Sequence, residues 1–147
     1  MRRSVLLAVI TLVIAGLIGG CVVARKPKTF VQTLEPTWAS IEWKDNIDYD
    51  KAWNNVIDLL TKRFDLEIIN KDSGYVRTNW LYTWTGDFTD NYRVRVTAKF
   101  NKELKKVEIK SEANYSSIHG DWVSGSDTRL LETLKQDIMG MIGRVTR

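Results

Sequence analysis

The amino-acid sequence predicts an α+β domain of two layers, an antiparallel sheet with two amphipathic helices on one of its faces. Two segments, one starting near residue 49 and one near residue 128, repeat apolar residues at helical spacing. Between them, two further segments alternate apolar and charged residues strictly, which is the pattern of strands with one buried and one wet face.

The first helix is read from "DYDKAWNNVIDLLTKRF", where Trp53, Val56, Ile57, Leu60 and Phe64 fall on one helical face. Asp48 can cap its first amides and Asp50 suits the positive end of the dipole, with Lys62 and Arg63 at the other end. Leu66 to Ile69 then reads as a short strand and "NKDSG" as a turn, with Gly74 available for positive φ. Tyr75 to Trp84 reads as the returning strand, and "TGDFTDN" as a second turn carrying Gly86, Asp87, Asp90 and Asn91.

The next two strands are the clearest. In "YRVRVTAKF", Val94, Val96, Ala98 and Phe100 alternate with Arg93, Arg95, Thr97 and Lys99. "KVEIKSEANY" sets Val107, Ile109, Ser111 and Ala113 against Lys106, Glu108, Lys110 and Glu112, and "NKELKK" between the two forms a hairpin loop. Arg93 and Arg95 are expected to pair across the strands with Glu108 and Glu112. The last element is the helix in "SDTRLLETLKQDIMGMIGRV", capped by Ser126 or Asp127, with Leu130, Leu131, Leu134, Ile138, Met141 and Ile142 on one face. The expected core holds Trp53, Val56, Leu60, Val94, Val96, Ile109, Leu134 and Ile138.

The N-terminus has a different character. Arg2 and Arg3 precede an apolar block from Val5 to Ile18, and Gly19 and Gly20 stand directly before Cys21, the chain's single cysteine. This is the three-part layout of a secretory signal. The 14 residues from Val5 to Ile18 fall short of the roughly 20 that span a bilayer. The alternative is an uncleaved anchor, because the uncharged run continues through Val22, Val23 and Ala24.

The string "IGGC" resembles the lipobox of bacterial lipoproteins. The resemblance implies cleavage before Cys21, a thioether-linked diacylglycerol on its sulfur and acylation of its freed amine. More than one acyl chain is what stable anchoring requires. Val22 in the next position, by resemblance to enterobacterial sorting, implies the outer membrane, with the protein facing the periplasm. The chain thus divides into a signal peptide (1–20), a lipidated cysteine with a tether (21–40) and a folded domain (41–147). Arg25, Lys26 and Lys28 in the tether either lie near anionic headgroups or are simply solvated.

Removing residues 1–20 from the 147 leaves 127, enough for one domain. Arg2 and Arg3 leave with the signal, so 20 basic residues face 18 acidic ones and the net charge falls from +4 to +2. That balance, and export, argue against a nucleic-acid partner.

The residues "YDKAWNNVIDLLTKRFDLEIINKDSGYVRTNW" resemble the helix-grip domains of component C of the outer-membrane β-barrel assembly machine. The shared features are the "AW…V…L" helix, an apolar strand, "D…GY(V/I)" and a strand ending in Trp. The resemblance implies a helix-grip fold and a partner among envelope or outer-membrane assembly proteins. This chain has one such domain, whereas that component has two and a long arm.

Catalytic and metal chemistry is thin. His119, the single histidine, has Ser116, Ser117 and Asp121 nearby, but no "G-x-S-x-G" occurs and a loop histidine is the simpler reading. Asp87 and Asp90 lack the order of a calcium loop, and one histidine with one acylated cysteine cannot make a zinc set. Neither a catalytic set, a metal nor a cofactor is expected.

The aromatics are more informative. Trp80, Tyr82 and Trp84 alternate and so share one strand face. Exposed, they would form a partner-binding patch; the arrangement preferred on sequence grounds packs them beneath the helices. Trp38, Trp43, Trp53 and Trp122 complete the set of six tryptophans that these features draw attention to. The expected function is a non-enzymatic envelope lipoprotein that binds another protein as an accessory or scaffold. The rival is a binder of a small apolar ligand or lipid, held in a cavity between helix and sheet.

Overall fold

The computed structural model describes residues 26–83, 91–116 and 120–144. They form a mixed α+β domain with a large antiparallel sheet and two helices. Helix α1 (Tyr49–Thr61) begins where Asp48 accepts the Lys51 amide at 2.7 Å, so the expected cap is in place. Its buried residues are Ala52, Trp53, Val56, Leu59 and Leu60, with Phe64 buried just beyond its end. Helix α2 (Thr128–Met141) is capped by Asp127, whose Oδ1 accepts the Leu130 amide at 2.8 Å.

Among the described residues eight strands form one sheet: β1 (Phe30–Gln32), β2 (Ala39–Glu42), β3 (Leu66–Asn70), β4 (Tyr75–Thr78), β5 (Leu81–Thr83), β6 (Tyr92–Asn101), β7 (Lys106–Ser116) and β8 (Trp122–Asp127). Their order is β1-β8-β7-β6-β4-β3, and every pairing is antiparallel. The spine is the β6–β7 hairpin, in register from Tyr92 opposite Tyr115 to Asn101 opposite Lys106. The second edge of β7 is shared, by β8 at Ala113–Ser116 and by β2 at Lys106–Ile109. The second edge of β6 is shared likewise by β4 and β5.

Alternation along β6 and β7 sends Val94, Val96, Ala98, Phe100, Val107, Ile109 and Ala113 into one core with the buried faces of both helices. Every residue expected in the core is buried there. At one end of it Trp43, Tyr49, Trp53 and Phe100 pack as an aromatic cluster, with Trp53 and Phe100 centroids 5.0 Å apart. The "NKDSG" turn forms as expected: Asn70 Oδ1 accepts the Ser73 amide and Gly74 has φ +67°.

Several expectations are corrected. The returning strand expected from Tyr75 is two strands, β4 and β5, broken at Asn79 and Trp80. Thr78 causes the break. Its buried hydroxyl accepts the Val96 amide at 3.0 Å and donates to the Asn79 carbonyl, taking the place of a backbone rung on β6. Meanwhile the Asn79 amide turns away to the Asp65 carbonyl.

The sheet also starts earlier than Ile41. β1 lies within the stretch read as tether, and Phe30 is buried against Tyr92 and Tyr115. Gly125 makes room for it, since a Cβ there would stand 2.6 Å from the Phe30 ring. β8 was not expected. Of the charge pairs, Arg95 does meet Glu112, but Arg93 stands opposite Asn114, and Glu108 stands opposite Lys99 and bonds Lys106.

Candidate functional site

The same alternation that fills the core sends Arg93, Arg95, Thr97 and Lys99 of β6, and Lys110, Glu112 and Asn114 of β7, to the opposite face of the sheet. Aromatic rings lie on this face. The Arg93 guanidinium sits 4.3 Å from the centre of the Trp122 ring, 4.6 Å from Trp80 and 5.9 Å from Tyr82. It donates to the Tyr82 hydroxyl at 3.1 Å and to Asn114 Oδ1 at 3.3 Å. Arg95 lies 4.4 Å from the centre of the same Trp80 ring. Further along, Lys99 and Lys110 both approach Trp38, at 5.1 and 5.2 Å.

The result is a stripe: Trp122, Arg93, Trp80, Arg95, Glu112, Lys110, Trp38, Lys99. Trp80 is half-buried between the arginines, and the other rings remain open to solvent. Tyr82 is 49% exposed, Trp122 41% and Trp38 36%. The packing of Trp80 and Tyr82 beneath the helices is therefore corrected, because they stand on the face away from the core. Register explains it. Leu81 is opposite Val94 and shares the core side, so Tyr82, opposite Arg93, must point the other way.

Trp84 lies outside the described residues, as do Cys21, His119, Asp87 and Asp90. Sequence reasoning passed over Arg93, Arg95, Lys99 and Lys110 as parts of this site. The signal was present in the strict alternation of β6, which puts its cations on the one face that the helices leave open.

At the middle of the stripe Glu112 accepts from Arg95 Nε at 2.9 Å, from Arg95 Nη2 and Lys110 Nζ at 3.3 Å, and from Thr97 Oγ1 at 3.4 Å. Burial alone would raise the Glu112 carboxyl, but the hydrogen bonds and charges of Arg95 and Lys110 outweigh it and hold the group below the usual carboxylate range. A depressed folded-state value stabilises the fold above the ordinary 4.5 and loses that stabilisation as pH falls through the lowered value. Replacing Glu112 with Gln should thus flatten the acid limb of the stability–pH curve below pH 4.5, measured by denaturant unfolding at successive pH values. An unchanged acid limb would contradict this.

On the core side, Asp127 is the centre of a buried polar cluster. Its Oδ2 accepts from Tyr92 Oη at 2.7 Å and from Thr29 Oγ1 at 3.0 Å, while its backbone carbonyl accepts from Ser111 Oγ at 2.7 Å. Burial foremost, then the hydrogen bond and charge of Asp127, raise the Tyr92 phenol well above its ordinary value. Beside this cluster a cavity of about 270 Å3 is lined by Phe64, Leu81, Val94 and Leu130, with Arg63 and Arg129 among its polar walls. A second, more polar cleft of about 190 Å3 lies on the outer face between Trp80, Arg95 and Ser124 and the strap at Thr33, Leu34 and Pro36.

Among the described residues there is no group of three or more His, Cys, Asp or Glu placed to hold a metal ion. No helix among them is long and apolar enough to cross a membrane. Comparison with known proteins finds no family model and no curated protein that matches the chain.

Proposed function

We propose that this protein is a non-enzymatic envelope lipoprotein, anchored to the outer membrane through acylated Cys21 and facing the periplasm, that binds another envelope protein as an accessory or scaffold. The observation that carries the binding role is the open stripe of Trp80, Tyr82, Trp122 and Trp38 laced with Arg93, Arg95, Lys99 and Lys110. Trp, Tyr and Arg supply most of the energy at protein interfaces, and rings already held in place by cations lose little freedom on binding. The lipid anchor rests on "IGGC" and the apolar run before it. A helix-grip arrangement of the domain belongs to the same reading, supported by two helices sharing one core with the inner side of the β6–β7 hairpin.

Two measurements test it. Metabolic labelling with a palmitate analogue should mark the wild type and leave Cys21→Ser unlabelled; equal labelling would sink the anchor. Crosslinking in intact membranes, followed by affinity purification, should recover envelope proteins reproducibly.

A second reading is favoured by the cavity beside Leu81 and Leu130, which would suit a small apolar ligand. It lies on the core side, away from Trp80 and Tyr82, and at about 270 Å3 it is just below the usual ligand-site range of about 300–1,000 Å3. Co-purification of a lipid with no partner protein would favour it.

A further inference from the structure

The stripe has two ends of similar make-up and a neutralised middle. At one end Arg93 is held among Trp122, Trp80 and Tyr82; at the other Lys99 and Lys110 converge on Trp38. In the middle, Glu112 is taken by Arg95 and Lys110. Arg77, on the same face opposite Thr97, is neutralised by Glu67. Arg93 and Lys99, by contrast, enter no ion pair among the described residues, and Glu108, which stands opposite Lys99, is already taken by Lys106 at 2.8 Å. A cation seated on rings and outside any ion pair keeps its full charge, and so its attraction for an anion.

Geometry restricts the shape of what fits. Arg93 and Lys99 are six residues apart on one strand and point the same way, which separates them by about 20 Å. The line between them runs beside the cleft walled by the strap at Thr33, Leu34 and Pro36. A linear array of that length matches a linear chain. An extended polypeptide rises by the same amount per residue as β6, so acidic side chains six positions apart on one of its faces reach both ends.

We propose that the stripe docks an extended acidic segment of the partner protein, with one carboxylate on Arg93 and a second, about six positions away, on Lys99. This rests on the protein-binding reading above and adds the partner's chemistry to it. The arrangement is charge-complementary docking with aromatic anchors, in which charge sets register and the rings set affinity.

Leu34 suits the test. It is 94% exposed, lines the cleft and makes up no part of the stripe. A photo-reactive amino acid placed at Leu34 in the full chain, in the cells that make it, is irradiated and the adduct mapped by mass spectrometry. The expected adduct is a peptide with Asp or Glu at two positions about six apart. Its yield should fall about tenfold in the Arg93→Gln, Lys99→Gln double variant and survive in Arg93→Lys. Equal melting temperatures for these variants exclude unfolding as the cause, and Arg93→Lys serves as the reference if the double variant is less stable. A mapped segment without acidic residues would leave protein binding standing and overturn this inference. A lipid adduct, or an unchanged yield in the double variant, would overturn it as well. No adduct at Leu34 together with an empty membrane purification would remove both readings.

Discussion

Trp53→Ala is expected to unfold a large part of the population near physiological temperature. Trp53 is 3% exposed and packs between Tyr49 and Phe100, so its loss empties the centre of the aromatic cluster that joins α1 to β6. Removing a buried Trp in this way costs about 3–5 kcal/mol, combining lost transfer energy with the cavity left behind. A domain of this size holds only about 5–15 kcal/mol in total. The melting temperature should therefore fall by about 10–20 °C. Trp53→Phe should recover much of it by refilling the cavity. Equal melting temperatures for the wild type and Trp53→Ala would show that α1 does not dock as described.

Asp127→Ala should be the most damaging polar change. One carboxylate caps α2 at Leu130 and accepts from Tyr92 and Thr29, tying β6, the residue before β1 and the second helix together. Losing the cap costs about 0.5–2 kcal/mol. Leaving the Tyr92 hydroxyl buried without its acceptor adds about 1–3 kcal/mol. A total of about 3 kcal/mol is expected in urea unfolding. Asp127→Asn keeps one carbonyl oxygen, for either the Leu130 amide or the Tyr92 and Thr29 hydroxyls, and should lose about half as much. The Tyr92 phenol adds a pH dependence. Its raised value means the stabilisation is complete below its ordinary 10.0 and declines as pH rises beyond that. Tyr92→Phe should remove this alkaline decline, and an Asp127→Ala protein as stable as the wild type would contradict the cluster's role.

The helices and the β6–β7 hairpin were legible because local chemistry decides them. Asp48 and Asp127 are caps, the helical apolar residues repeat on one face, and the alternation of β6 and β7 has no interruption. What was not legible depends on partners distant in the chain. "WVSGSD" has the composition of a turn, and becomes β8 because β7 and β1 supply rungs on either side. Phe30 lies in a proline-flanked stretch and is packed against Gly125, Tyr92 and Tyr115, all distant in the chain.

The aromatic site shows the same division. Alternation correctly placed Trp80 and Tyr82 together, but which side of the sheet they take follows from Leu81 facing Val94 and from the break at Thr78. Trp122 and Trp38 each lie 42 residues from Trp80 along the chain, one on each side, and the sheet brings them to one face, Trp122 against Arg93 and Trp38 against Lys99.

The central claim is that the open stripe, and not the helix side, is where this protein meets its partner. It is tested most directly by quantitative proteomics of crosslinked membranes from cells carrying the full chain. Three forms are compared: wild type, the stripe variant Tyr82→Ala, Arg93→Ala, Trp122→Ala, and a helix-side control, Glu132→Ala, Lys135→Ala, whose residues form an exposed i,i+3 pair on α2. The account predicts that the same envelope proteins are recovered with the wild type and the control, and that the stripe variant loses them while keeping its folded-state circular dichroism. Recovery of those proteins undiminished with the stripe variant, or their loss with the helix-side control alone, would contradict it.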